Sequence, residues 1–391
     1  MKTNISPDLL KTPQGQKANQ ILRSCVHCGF CSATCPTYGL LADELDSPRG
    51  RIYLIKQVVE GNPISKNSLL HLDRCLTCRA CETTCPSGVE YAHLLDIGRE
   101  LLEKKLQRKP LEQLIRFGLR KSLTNPLLIN TATTLLPFLK HSKKQNYPSI
   151  KKQNNKKILL LSGCVQPALA PNINHATGHV LNRLGFDVIE TPQKQCCGAI
   201  EQHLSAQDFA LVQIKTNIDA WYQQLQTGVS QIISTASGCG VMVKDYAHLL
   251  ADDSHYADKA DYVVKHTQDI AEFLSQQDLR VFKQKTDKKV AFHSPCTLQH
   301  GQQITGVVEK LLNSVGYQLT RVDDAHLCCG SAGTYSILQK KLSQQLLSNK
   351  LDKLQQNQPD LIATANIGCL LHLQKGTKTQ VKHWVELLLM G

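Results

Sequence analysis

The sequence predicts an α/β protein: a mainly helical N-terminal region followed by two copies of one α/β domain, each with a mostly parallel sheet. Three observations carry this. All 16 cysteines of the 391 residues fall into four groups of four. The last two groups repeat at nearly constant offset: Cys164 to Cys296 and Cys196 to Cys328 each span 132 residues, and Cys239 to Cys369 spans 130. Short apolar runs alternate with longer helical stretches throughout the duplicated part.

The local text repeats with the offsets. Cys196-Cys197-Gly198-Ala199 matches Cys328-Cys329-Gly330-Ser331, and Ser237-Gly238-Cys239 matches Ile367-Gly368-Cys369. Agreement at that length marks a duplicated domain. The runs Ile158–Leu161, Ile232-Ile233, Val290–Phe292 and Leu361-Ile362 read as buried strands. Residues 172–184, 206–226, 303–315 and 337–355 read as helices between them. Strands alternating with helices give a parallel sheet. The single cysteines Cys164, Cys239, Cys296 and Cys369 then sit just past strand carboxyl ends, where open α/β sheets place ligands.

The N-terminal region carries the clearest chemistry. Cys25, Cys28, Cys31 and Cys35 precede Pro36, and Cys75, Cys78, Cys81 and Cys85 precede Pro86. Both runs are C-x2-C-x2-C-x3-C-P, the two-cluster bacterial ferredoxin spacing. Three thiolates on a tight loop reach one cube, and the fourth ligates the partner cube. The expected ligands are Cys25, Cys28, Cys31 and Cys85 for cluster one. Cys75, Cys78, Cys81 and Cys35 serve cluster two. Zinc sites favour paired C-x2-C units instead. Gly29 and Gly88 are expected to let backbone approach the cluster sulfurs. Arg49 and Arg51 either screen cluster charge or form a solvated helix start. Ser47-Pro48 starts a helix running to Val59 that separates the motifs.

The third and fourth groups are Cys164, Cys196, Cys197, Cys239 and Cys296, Cys328, Cys329, Cys369. Adjacent cysteines rarely bridge each other. A vicinal pair before glycine reads as two ligands from one loop. Further cluster ligation and redox thiols both stay open for these eight, beside buried packing thiols.

Charge is concentrated. Residues 104–157 hold 14 Lys or Arg against the single acid Glu112, while the remainder holds 31 of each sign (45 − 14 and 32 − 1). Leu111, Leu114, Ile115 and Leu119 share one helical face, with Arg116, Arg120 and Lys121 elsewhere. A second stretch, 127–139, is apolar but broken by Asn130 and Pro137. Such a basic amphipathic segment suits a membrane surface, or docks on the flanking domains or a partner subunit. Nothing resembles an RNA-binding or helix-turn-helix signature, and aromatics are few, so nucleic acid is not expected. The polar N-terminus and the lack of an 18-residue apolar stretch predict a cytoplasmic protein, at most peripheral on the inner face of a membrane. The expected domains are 1–103, the connector 104–155, and repeats at 156–285 and 286–391.

Paired ferredoxin motifs followed by two Cys…Cys-Cys-Gly…Cys repeats resemble the family that includes the iron–sulfur subunit of glycolate oxidase. The likeness runs through 162–172, Cys196–Ala199, Ser237–Gly240, His293-Ser-Pro-Cys296 and Cys328–Tyr335. The resemblance implies an electron-transfer subunit. A partner flavoprotein carrying FAD oxidises glycolate to glyoxylate, and this chain relays the electrons toward quinone or a respiratory chain. Without a nucleotide-binding signature of its own, the chain is not expected to perform the two-electron step. Related members serve lactate or glycerol-3-phosphate oxidation, and heterodisulfide-reductase-like members reduce disulfides. In that last group the final cysteine belongs to a Cys-x-x-Cys pair. Here Ala236 and Asn366 stand at the earlier position, which speaks against disulfide chemistry.

Overall fold

The computed structural model describes residues 1–135, 141–147, 156–191 and 196–390. Pro137, Lys140 and the linker 148–155 lie outside the described residues.

The duplicated part forms two four-stranded sheets. The first joins β1 (Lys157–Leu160), β2 (Asp187–Glu190), β3 (Val229–Ser234) and β4 (Thr267–Asp269) in the order β2-β1-β3-β4. The second joins β5 (Lys289–His293), β6 (Gln318–Leu319), β7 (Leu361–Thr364) and β8 (Gln380–His383) in the order β6-β5-β7-β8. Every pairing is parallel. The duplication read from cysteine offsets is therefore a duplication of topology. The central strands β1, β3, β5 and β7 are buried almost throughout, as parallel strands covered on both faces must be.

Helices Pro171–Arg183 and Gln207–Gln226 match expectation closely. Two others are shorter. The stretch 303–315 becomes helical only at Val307–Ser314, because Gln303 and Gly306 both adopt positive φ. The stretch 337–355 breaks at Gln339, leaving Tyr335–Leu338 and Lys340–Gln355.

The two repeats share a seam. Ser237 N–H donates to Ala365 O at 3.2 Å. His383 Nε2 lies 2.8 Å from Thr235 O, and Ser237 Oγ lies 2.7 Å from Thr297 Oγ1. Asn172 Nδ2 donates to Glu386 at 2.6 Å. These buried polar contacts hold the two carboxyl-end loops of the sheets side by side.

The N-terminal region is helical with its own core, in which Leu22, Ile55, Val59, Leu72, Leu94, Leu95 and Leu102 are fully buried. The helix Pro48–Val59 is capped by Ser47 Oγ, which accepts from Gly50 N at 2.9 Å.

The basic connector folds inside out relative to a simple amphipathic reading. Helix Pro110–Thr124 docks through its arginines. Arg108, just ahead of it, is 3% exposed at its side chain and pairs with Asp73 (2.6 Å), Glu103 (2.5 Å) and Glu112. Arg116 pairs with Asp73 at 3.0 Å, and Arg120 with Glu201 of the first repeat. Burial alone would raise the Asp73 carboxyl; Arg108 and Arg116 overcome it and hold it low. The apolar side faces outward: Leu111 is 68% exposed, and Leu114, Ile115 and Phe117 are also exposed.

Candidate iron–sulfur and thiol centres

The two ferredoxin-type loops share an unusual backbone. His27 and Gly29 in the first, and Thr77 and Arg79 in the second, all adopt positive φ. These are the same two positions of each motif, and they bend the chain tightly around the cysteines. At Gly29 (φ 88°) an added Cβ would meet Arg49 Nη1 at 2.7 Å, so the glycine lets that guanidinium lie against the loop. At Gly88, among the described residues beyond its chain neighbours, no protein atom lies within 4 Å of an added Cβ, and its φ of 61° favours glycine.

Cys25, Cys28, Cys31 and Cys85 line one small cavity, with Gly29, Phe30 and Arg49 around it, and Cys81 of the second motif also reaches its wall. Burial raises the Cys31 thiol to about 11, and Cys25, Cys85 and Cys28 push the same way. Cys28 is exposed, as are Val26 and Phe30 on the same loop. Cys75, Cys78, Cys81 and Cys35 lie deeper. Burial drives the Cys81 thiol up, reinforced by Cys78, Cys75 and Cys35. The thiols that act on Cys31 come from its own motif and from Cys85, and those that act on Cys81 from its own motif and from Cys35.

The deeper set has a polar surround that sequence reading missed. Asp46 is fully buried and meets Arg51 Nη2 (3.2 Å), His71 Nδ1 (3.1 Å) and Arg74 Nη1 (2.8 Å). Arg51 is 1% exposed. It donates to Thr37 Oγ1 at 3.0 Å and His71 O at 2.8 Å, and its Nη1 lies 4.0 Å from Cys35 Sγ. Burial opposes its charge, but Cys75, Tyr91, Cys35 and Asp46 hold the proton on. Arg51 is therefore no solvated helix start. Arg49 is half-exposed and bonded to Glu44 at 2.7 Å.

Cys164, Cys196 and Cys197 gather with Cys239 below the carboxyl ends of β1 and β3. Hydrogen bonds from Cys164 and Cys197 hold the Cys196 sulfur low, while Cys164 and Cys197 are raised. Asn217 Nδ2 donates to Cys196 O at 2.9 Å. In the second repeat, Cys296 and Cys328 sulfurs are 3.8 Å apart, and Gly330 N donates to Cys328 Sγ at 3.4 Å. Asn366 donates to Cys369 Sγ at 3.7 Å, so the residue at the missing-cysteine position touches the last thiol. All eight sulfur residues line one cavity of about 460 Å³, which Cys75, Arg79 and Arg99 border from the N-terminal side. Cys296, Cys328 and Tyr335 also pack with Leu76 and Cys78 in one apolar cluster. The deeper N-terminal set therefore abuts the second repeat directly.

Arg79, between Cys78 and Cys81, ties this loop to the first repeat through Asp245 (3.3 Å from Nη1). His93 Nε2 lies 3.6 Å from the same carboxylate and stacks on His248 at 3.7 Å. Burial would raise Asp245, but His93 and Arg79 hold it at about 2. A depressed carboxylate contributes stability above its unfolded value and loses it as pH falls through the folded one. Asp245→Asn is therefore expected to cost roughly 1–3 kcal/mol at pH 6. That gap should narrow by pH 3, because wild type loses the Asp245 contribution between about pH 4 and pH 2. Denaturant titrations at the two pH values measure it; an equal gap at both would refute the assignment.

Sixteen thiols in metal-ligand patterns, with two ferredoxin-type loops ahead of a duplicated α/β unit, define an iron–sulfur protein of the dicluster class. The 4Fe-4S dicluster domain family matches residues 21–89, and the cysteine-rich domain family matches 158–244 and 290–374. The glycolate oxidase iron–sulfur subunit of Escherichia coli (strain K12) is 47% identical over 99% of this chain and 98% of its own length. A probable glycolate oxidase iron–sulfur subunit of Bacillus subtilis (strain 168) is 30% identical over 94% of the chain and 93% of that protein. Lactate utilization protein A of Bacillus subtilis (strain 168) is 27% identical over 59% of the chain and 98% of its length. The chain belongs to the family of glycolate oxidase iron–sulfur subunits. Among the described residues, no helix is long and apolar enough to cross a membrane.

Proposed function

We propose that this chain is the electron relay of a flavin-dependent glycolate oxidase. The observation that supports it is the nesting of the centres. Of the first set, Cys28 is exposed and Cys31 and Cys85 are partly exposed; of the second, Cys81 also lines the first set's cavity and Cys78 packs with Cys296 and Cys328 of the second repeat. The donors suit 4Fe–4S cubes: four sulfurs per set, and loops bent around them. When bound, such clusters pass electrons singly. A partner's FAD that removes two electrons from glycolate, giving glyoxylate and two protons, would hand them on one at a time. This chain's residues hold the thiolates, exclude water from the deeper set, and surround it with positive charge. The eight cysteines of the repeats serve as further metal ligands or redox thiols on the same path. The test is reduction of this subunit by its co-purified flavoprotein on adding glycolate, followed optically under anaerobic conditions. Reduction with lactate but not glycolate would move the chain to the lactate branch; no reduction by either would reject the relay.

The connector supports a second element of the proposal, peripheral attachment to an anionic membrane surface. Its arginines are neutralised inward, while Leu111, Leu114, Phe117 and, on the helix Pro126–Leu135, Leu127 and Leu135 remain exposed. Exposed Lys104, Lys105, Lys109, Lys121, Lys143 and Lys144 lie along the same segment. Apolar side chains among lysines suit a headgroup boundary. Leu111→Glu with Leu114→Glu is expected to lower co-sedimentation with anionic vesicles by about tenfold or more, given unfavourable insertion and repulsion. Undiminished sedimentation would leave that face to a partner protein.

A further inference from the structure

The two repeats differ three residues ahead of their first cysteine. The first has Leu161 before Cys164, and the second has His293 before Cys296. His293 ends β5 and is 1% exposed. Neither of its ring nitrogens has a hydrogen-bond partner among the described residues. A buried imidazole left in that state is unfavourable. Its surroundings suggest what relieves it: a ring nitrogen and the sulfurs of Cys329 and Cys369 lie within 4.8 Å of one another. Cys329 also contacts Cys328, whose sulfur lies 3.8 Å from that of Cys296. That spacing matches the edge of a tetrahedron built on metal–sulfur bonds of about 2.3 Å.

We propose that the second repeat is a transition-metal centre of mixed thiolate and imidazole ligation, in which His293 supplies a nitrogen beside Cys296, Cys328, Cys329 and Cys369, and that the first repeat has no counterpart to it. The inference rests on the reading that the repeat thiols bind metal, and deepens it by naming a nitrogen donor and making the two repeats unequal.

A second asymmetry agrees. Lys350 is 3% exposed, and its ammonium donates to Asp324 O (3.0 Å) and Ala325 O (3.1 Å). Burial lowers its ammonium's pKa, and Cys329, Cys328, Asp324 and Cys296 act against that. A thiolate-bound metal would supply the negative charge that this buried cation faces. One repeat length earlier, 132 or 133 residues back, stand Ile218 and Asn217, neither charged. The site with the imidazole is also the one that abuts Cys78. Imidazole in place of thiolate raises an iron–sulfur potential, which suits an acceptor downstream of the deeper N-terminal cluster.

The test uses the full chain purified anaerobically, with iron, zinc and acid-labile sulfide counted per chain. The variants are His293→Leu, which copies the first repeat, and His293→Cys, which keeps a donor. His293→Leu is expected to lose one whole metal centre while keeping the roughly eight irons of two N-terminal clusters. His293→Cys is expected to keep the metal. The ligand is read directly by pulsed EPR of an iron centre, or X-ray absorption at the zinc edge. Wild type should show an imidazole nitrogen that His293→Cys lacks. Full metal content in His293→Leu overturns the proposal. So does equal loss in both variants, which would mean packing rather than ligation, or a wild type with no metal beyond the N-terminal clusters. The N-terminal relay is tested separately by its own iron count, so the two readings fail independently.

Discussion

Replacing Cys78 by serine is expected to halve the iron of the N-terminal region, from about eight to about four atoms per chain, and to stop glycolate-driven electrons from passing the outer cluster. Cys78 belongs to the deeper set, and its side chain packs in the apolar cluster that also holds Cys296 and Cys328. Its loss therefore removes the centre that touches the second repeat. The outer set does not include Cys78, which is absent from the cavity that Cys25, Cys28, Cys31 and Cys85 line together with Cys81. It should stay reducible by the flavoprotein, so partial optical bleaching survives while onward transfer disappears. Cys28→Ser gives the complementary result, with the outer cluster lost and the deeper one retained. The repeats should remain folded in both variants, because their cores are built on β1–β8 and not on the N-terminal helices. Iron analysis with EPR after dithionite checks this. An iron count unchanged in Cys78→Ser would disprove the ligand assignment.

The parts of this molecule that the sequence displays are those with a strict chemical grammar. C-x2-C-x2-C-x3-C-P names the donors because cluster ligation demands that spacing. The 132-residue offset shows the duplication because both copies must present a single cysteine, a vicinal pair and another single cysteine at matching places. Buried parallel strands announce themselves as apolar runs. What stayed hidden depends on contacts remote in sequence. Asp46, Arg74 and His71 carry no mark in the sequence and Arg51 admits two readings, since nothing local says that one carboxylate will collect three bases in a closed interior. The connector misleads for the same reason. Its periodicity shows two faces, but which one turns inward depends on Asp73, Glu103 and Glu201 waiting on other elements. Arg79 in the left-handed region is equally invisible, because glycine, its counterpart in the first motif, is the residue that signals such backbone. The apposition of Cys78 to the second repeat follows from domain docking and has no one-dimensional signature.

Arg51→Met should have the largest effect of any change outside the cysteines, on stability and on potential together. The guanidinium is closed off from solvent and serves Asp46, Thr37 Oγ1 and His71 O at once. Methionine fills much of the volume but leaves Asp46 with Arg74 and His71 alone. Removing one partner of a buried pair costs about 3–5 kcal/mol, a large share of the margin by which a domain stays folded. The change falls on the helix Pro48–Val59 and the deeper cysteine set, so unfolding should begin in the N-terminal region while the repeats persist. The electrostatic consequence has a definite sign. On the proposed ligand assignment, reduction would add an electron beside Cys35, whose sulfur lies 4.0 Å from Arg51 Nη1. Taking away that positive charge makes the added electron less welcome, so the potential of the deeper cluster must fall. Arg51→Lys separates the two effects. It keeps the charge but not the fork that reaches three acceptors; the potential should recover more than the stability does. A redox titration followed by EPR, beside a denaturant titration followed by loss of cluster absorbance, measures both. A potential unmoved in Arg51→Met would mean that Asp46 already cancels the arginine at the cluster, leaving the network a purely structural role.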